Sequence, residues 1–124
     1  MITAQSVLIV EDDFSFREAL MEFLVETGGF LPVGVGTLAE ARRLLDFGPR
    51  FDSVILDVHL PDGDGFGFCI RLRDRGHRMP VIMLTGSATE ADVARGLDAG
   101  ADDYIAKPFR VCDLIARLQP FPAF

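Results

Sequence analysis

The sequence predicts an α/β fold: a doubly wound, five-stranded parallel sheet with helices on both faces. Three observations carry this. Short aliphatic runs alternate with longer segments of helical spacing, five times along the chain. The apolar runs are continuous, as in Val54-Ile55-Leu56, which marks strands covered on both faces. Each connection is long enough to hold a helix, so successive strands run parallel, and right-handed crossovers wind the chain onto both faces.

The elements follow in order. Ser6 to Val10 is β-rich and ends abruptly in Glu11-Asp12-Asp13. Phe14 to Thr27 has apolar residues at 16, 19, 20, 23 and 24, a helical spacing, and Ser15 with Glu18 resembles a capping box. Asp13 reads as a helix cap or a solvated loop carboxylate. Gly28-Gly29 stops this helix. Leu31 to Val35 is the second strand. Thr37 caps a helix to about Phe47, with Leu38, Ala41, Leu44 and Leu45 on one face. Ser53 to Asp57 is the third strand, followed by a loop through Pro61-Asp62-Gly63-Asp64-Gly65 and a helix from about Gly65 to Arg75. Val81 to Leu84 is the fourth strand, and Glu90 to Ala99 a helix stopped by Gly100. Tyr104 to Ala106 is the fifth strand. Val111 to Leu118 is the last helix, ended by Pro120.

A chain of 124 residues fits one domain, here 1–119, with 120–124 as a short Phe-containing tail. Its 49% hydrophobic and 25% charged content is that of a soluble globular protein. A net charge of -7 argues against a general nucleic-acid surface. No apolar run approaches the ~20 residues of a membrane helix, and Met1 to Gln5 lacks the pattern of a signal peptide. The expected location is the cytoplasm. Cys69 and Cys112 lie far apart without a CxxC or a His cluster, and read as reduced, partly buried thiols.

The chemistry gathers at the strand ends. In a doubly wound sheet the ligand site lies at the carboxyl ends of the strands, beside a switch in strand order. Here those ends carry Glu11-Asp12, Asp57, Thr85 and Lys107-Pro108. Three carboxylates in one cleft repel each other and raise one another's pKa. A hard divalent cation such as Mg²⁺, which takes oxygen ligands, relieves this. Asp57 emerges from a buried strand, and a carboxylate can attack phosphorus to form an acyl phosphate. Phosphoryl transfer needs chiefly positioning and charge neutralisation. Lys107 is the sole lysine among eleven arginines, and taken alone it reads either as an ordinary solvated residue or as a compact charge at a site that a broad fork would not fit. The Gly63, Gly65 and Gly67 series follows a Pro-Asp turn and is no phosphate cradle. His77, in the basic run Arg75-Gly76-His77-Arg78, reads as solvated. Composition alone makes Tyr104 a core residue.

Four segments in order carry a family resemblance: Val7-Leu8-Ile9-Val10-Glu11-Asp12-Asp13, Ile55-Leu56-Asp57-Val58-His59-Leu60-Pro61-Asp62-Gly63-Asp64-Gly65, Pro80-Val81-Ile82-Met83-Leu84-Thr85-Gly86 and Gly100-Ala101-Asp102-Asp103-Tyr104-Ile105-Ala106-Lys107-Pro108-Phe109. Over nearly its whole length the chain resembles the receiver domain of bacterial two-component response regulators. That resemblance implies a flavodoxin-like strand order of 2-1-3-4-5 and Asp57 as phosphoacceptor. It implies Mg²⁺ held by Glu11, Asp12, Asp57 and the backbone carbonyl of His59, with Asp12 the more direct of the acidic pair. Thr85 and Lys107 would bind phosphoryl oxygens, Tyr104 would be the aromatic switch residue, and Lys107-Pro108 typically carries a cis peptide. The His59 imidazole is then either a tuner of dephosphorylation or an inert rim residue.

The resemblance further implies a histidine kinase or histidine phosphotransfer protein as phosphodonor, and an output surface of the fourth helix, fifth strand and fifth helix. Transcription would be controlled by a domain outside this chain, with no direct nucleic-acid or membrane binding by this one. Arg95, Asp102, Asp103, Asp113 and Arg117 partly resemble the ion-pair set through which receivers of winged-helix regulators dimerise on phosphorylation, although Val93 stands where a basic partner is usual. The alternative is a receiver-like interaction module that works without phosphorylation. A haloacid dehalogenase-type hydrolase would need an acid at position 59, and a flavodoxin-like cofactor binder would need a phosphate-binding loop that is missing here.

Overall fold

The computed structural model describes residues 4–86 and 89–118. Five strands, β1 (Gln5–Val10), β2 (Phe30–Val35), β3 (Ser53–Asp57), β4 (Val81–Thr85) and β5 (Asp103–Ala106), form one parallel sheet in the order β2-β1-β3-β4-β5. Five helices connect and follow them: α1 (Phe14–Thr27), α2 (Leu38–Phe47), α3 (Gly65–Asp74), α4 (Glu90–Asp98) and α5 (Val111–Leu118). The doubly wound expectation and its strand order hold. The loop between β3 and α3 folds into a two-residue antiparallel ribbon, His59–Leu60 against Gly63–Asp64. The expected tail, 120–124, lies outside the described residues.

The continuous apolar runs are explained by two cores, one on each sheet face. Val7, Ile9, Ile55, Ile82, Leu84 and Ile105 pack with Leu20 and Leu24 of α1 and Leu114 and Leu118 of α5. Leu8, Val10, Val54, Leu56, Val81 and Met83 face Leu38, Ala41 and Leu45 of α2 and Phe66, Phe68, Cys69 and Leu72 of α3. Each such side chain contributes about 1.5–3 kcal/mol when fully buried. Cys69 is fully buried, while Cys112 is exposed on α5, so the two thiols differ rather than sharing partial burial.

Two helix starts lie next to the site and differ in how they are made. The carboxylate of Asp13 accepts from the N–H of Phe16 at 3.0 Å and caps α1. Ser15 is already inside that helix, so the Ser15–Glu18 box is not its cap; a carboxylate at the true N-cap also suits the helix dipole. Thr37 caps α2 as expected. A second cap arrives from outside: Asp62, in the ribbon turn, accepts from the N–H groups of Leu38 and Ala39 at 2.9 and 3.0 Å. This ties the chain after Asp57 to the start of α2.

The opposite end of the sheet is tied together by Arg73. Its guanidinium donates to the carbonyls of Gly100, His77 and Met79 and to the Asp102 carboxylate, all at 2.8–3.0 Å. Asp102 also accepts from the N–H of Val81 at 2.8 Å. One planar fork thus joins α3, the entry to β4 and the entry to β5. His77 is not free in solvent; its ring lies 3.4 Å from Asp46 of α2, which also binds Arg75. Arg73→Met is expected to cost about 2–4 kcal/mol, because several acceptors lose their donor at once. Chemical denaturation reads the loss, and an unchanged midpoint would contradict the assigned role.

Candidate functional site

The sheet register brings the four distinctive strand ends to one edge. Glu11 and Asp12 follow β1, Asp57 ends β3, Thr85 ends β4 and Lys107 follows β5. Carboxylate oxygens of Glu11, Asp12 and Asp57 lie within 4.8 Å of one another. Glu11 and Asp57 are buried, whereas Asp12 is exposed. The two strands of the switch point, β1 and β3, are neighbours, which is why this crevice opens here.

Lys107 neutralises the buried carboxylates. Its Nζ donates to Glu11 Oε1 at 2.7 Å and lies 3.6 Å from Asp57 Oδ2. The ammonium also rests 4.5 Å from the centroid of the Phe16 ring, which Phe109 contacts edge-on. Burial alone would lower the Lys107 pKa, but the bond to Glu11 and the charges of Asp57 and Glu11 outweigh it and raise it. On Glu11 the balance goes the other way. Burial, reinforced by Asp57, pushes its carboxyl up to about 7 despite Lys107. Among the described residues, Glu11 Oε2 is buried with no hydrogen-bond partner. An orphaned carboxylate oxygen beside two further carboxylates fits a hard divalent cation.

Asp57 is positioned through its backbone as well. Its Oδ1 accepts from the His59 N–H at 3.3 Å. Gly65 donates to the Val58 carbonyl at 2.7 Å, and a Cβ on Gly65 would sit 2.6 Å from the Asp57 carbonyl oxygen. Gly65 is thus a close-approach glycine that seats the start of α3 against the end of β3. His59 itself is exposed at the rim.

Thr85 is buried, its carbonyl accepts from the Lys107 N–H at 2.6 Å, and its side chain shares a hydrogen bond with Tyr104. Tyr104 is partly buried: its ring packs where a Cβ on Gly96 would come within 2.8 Å, and it borders the α2–α3 core. It therefore joins core and site. The Lys107-Pro108 peptide is cis.

The surface residues divide. Arg117 bonds Asp103 at 2.7 Å and the Asp113 carbonyl at 3.0 Å, so these three meet where α5 flanks β5. Asp102 is engaged by Arg73. Arg95 turns toward α3, 4.3 Å over the Phe66 ring and 3.9 Å from Asp64. Sequence reasoning passed over Phe16 and Phe109 as site residues; Phe16 showed only a helical core spacing, and Phe109 only its place after Lys107-Pro108. Gly65→Ala is expected to destabilise the fold by about 1–3 kcal/mol, since the added methyl meets backbone that cannot swing away. Denaturant midpoints check this, and a loss within error would contradict it.

The family model of the response regulator receiver domain matches residues 7–119. The transcriptional regulatory protein GltR of Pseudomonas aeruginosa is 44% identical over 117 residues, covering 93% of this chain and 48% of that protein. The transcriptional regulatory protein BasR of Escherichia coli is 40% identical over 113 residues, covering 91% and 50%. The chain spans about half the length of these curated relatives. Among solved structures, the receiver domain of the Francisella response regulator 1452 superposes with a TM-score of 0.86 at 28% identity, covering 92% of this chain and 93% of that one. A putative response regulator from Chloroflexus aurantiacus gives 0.82 at 33% identity, covering 94% and 95%. By sequence along its length and by fold, the chain belongs to the receiver domains of two-component response regulators.

Proposed function

We propose that this receiver accepts a phosphoryl group on Asp57 from the phosphohistidine of a sensor kinase or histidine phosphotransfer protein, and that Mg²⁺ assists. The observation that carries this reading is the cluster in which Glu11, Asp12 and Asp57 converge, two of them buried, while Lys107 reaches those two. An Asp57 oxygen attacks phosphorus in line, the phosphorus–nitrogen bond breaks, and the imidazole leaves with the electron pair. Glu11, Asp12, Asp57 and the His59 carbonyl would hold the cation. When bound, it supplies positive charge against the attacking carboxylate and the phosphoryl oxygens.

The protein's own residues account for the remaining steps. Lys107 takes one phosphoryl oxygen by moving its ammonium the short way from Glu11 toward Asp57. Thr85 takes another with its hydroxyl, and the hydrogen bond it shares with Tyr104 supports a linked movement of that ring. The change then reaches α4, β5 and α5, a local charge change biasing a two-state element. Arg117, Asp103 and Asp113 lie on that face as a candidate dimer surface; Arg95 and Asp102 would have to leave their present partners to join it. Relatives about twice as long, named as transcriptional regulators, support an output domain that controls transcription.

Asp57→Asn is expected to fold and to take up no phosphoryl group from acetyl phosphate and Mg²⁺, as read by intact mass. A Mg²⁺-dependent gain in the Asn variant would sink the assignment. In the alternative, an interaction module working without phosphorylation, wild type gains no mass and binds no beryllofluoride.

A pH dependence also follows from Glu11. Its folded pKa, about 7, exceeds that of an exposed carboxylate, so the fold favours the protonated form. The contribution is full at low pH and is lost as pH rises through about 7, at up to about 1.4 kcal/mol per pH unit. Mg²⁺ needs the ionised form and offsets that loss. Thermal midpoints should therefore rise more on adding Mg²⁺ at about pH 8 than at about pH 6. An equal rise at both would count against Glu11 as a ligand.

A further inference from the structure

Arg17 takes no part in the chemistry above, yet it is built into the loop that carries two of the three carboxylates. From the first turn of α1, its Nη1 donates to the backbone carbonyl of Glu11 at 2.6 Å. On the other side of the same residue, the Glu11 N–H donates to the Val35 carbonyl of β2 at 3.0 Å. Glu11 is thus gripped by its backbone at both ends, by α1 and by β2. Its carboxylate is left to face Lys107 and Asp57.

The end of β2 is shaped to let Arg17 reach. A Cβ on Gly34 would lie 2.9 Å from Arg17 Cδ and 2.6 Å from Met21 Sδ, and one on Gly36 would lie 3.3 Å from Arg17 Nη1. Neither glycine has the positive φ that would explain it by backbone conformation. The Phe14 ring flanks the guanidinium, 5.4 Å from its central carbon. A guanidinium donates in fixed directions, and a bond from a charged donor is about twice as strong as a neutral one. It therefore fixes the plane of the Glu11–Asp12 peptide, from which both carboxylates project.

We infer that Arg17 is a positioning residue for the acidic pair: it sets the Mg²⁺ affinity of the site through the Glu11 carbonyl, without contacting the ion. The inference rests on the reading of Glu11, Asp12 and Asp57 as a Mg²⁺ site. It runs against simple electrostatics, in which removing a nearby positive charge would tighten cation binding.

Calorimetric titration of Mg²⁺ into wild type, Arg17→Met and Gly34→Ala decides between them. Thermal melts without metal, and phosphorylation by acetyl phosphate across Mg²⁺ concentrations, accompany the titration. Arg17→Met should bind Mg²⁺ about tenfold or more weakly, as when an oriented ligand loses its support. Its phosphorylation rate should recover to about the wild-type value at saturating Mg²⁺. Gly34→Ala keeps the charge but crowds the arginine stem, and should also weaken binding. A purely structural arginine would lower the melting temperature and leave the Mg²⁺ affinity unchanged. Unchanged or tighter binding by folded Arg17→Met, or a rate that saturating Mg²⁺ does not restore, overturns the inference. If Arg17→Met does not fold, unchanged binding by Gly34→Ala overturns it. A wild type that binds no Mg²⁺ overturns the metal reading itself, and Arg17's role with it.

Discussion

Everything at the site depends on one ammonium group that lets two buried carboxylates share the end of an apolar sheet. Glu11 and Asp57 each follow a fully buried apolar run, Val7 to Val10 and Val54 to Leu56, so their charges are poorly solvated. Lys107 pairs with both, and its positive charge offsets the repulsion between two carboxylates set this close. The pairing is incomplete, because one oxygen of Glu11 has no hydrogen-bond partner among the described residues. The site is therefore stable enough to fold and still has capacity for more positive charge. A lysine suits this better than an arginine, since a single ammonium on a flexible stem can move between oxygens.

That arrangement survives because backbone contacts outside the charge cluster hold each strand end. Thr85 and Lys107 are joined main chain to main chain, so β4 and β5 present their side chains in fixed relation. Gly65 seats α3 on the Asp57 carbonyl, and Asp62 ties the following turn to α2. The far end of the sheet is held separately, by Arg73 and Asp102. Arg73 and Asp102 thus tie one end of the strands, and the acidic cluster lies at the other.

How much of this was legible in the sequence follows from the range of each interaction. Strands such as Val54 to Leu56 announced themselves because burial on both faces leaves a continuous apolar run. Glu11, Asp12, Asp57, Thr85 and Lys107 were legible because each directly ends or follows a strand. Asp13 was legible as a helix cap, but the Ser15–Glu18 pattern was not one, since a capping pattern in sequence does not fix which residue adopts the extended conformation at the helix start. The His77–Asp46 contact and the web around Arg73 join residues distant along the chain, and no local pattern encodes them. Nothing in the sequence marks Gly34 and Gly36; only the packing shows that they make room for Arg17.

The hydrogen bond between Tyr104 and Thr85 has an optical consequence. The chain has one tyrosine and no tryptophan, so when it is excited at wavelengths beyond the absorption of its phenylalanines its emission is that of this single phenol. The ring is partly sheltered on Gly96, and its hydroxyl is bonded to a residue at the mouth of the acidic cleft. Emission intensity and anisotropy therefore report on one place in the molecule, with no label added and no background from elsewhere in the chain. The protein has its own fluorophore at the joint between its chemistry and its surface.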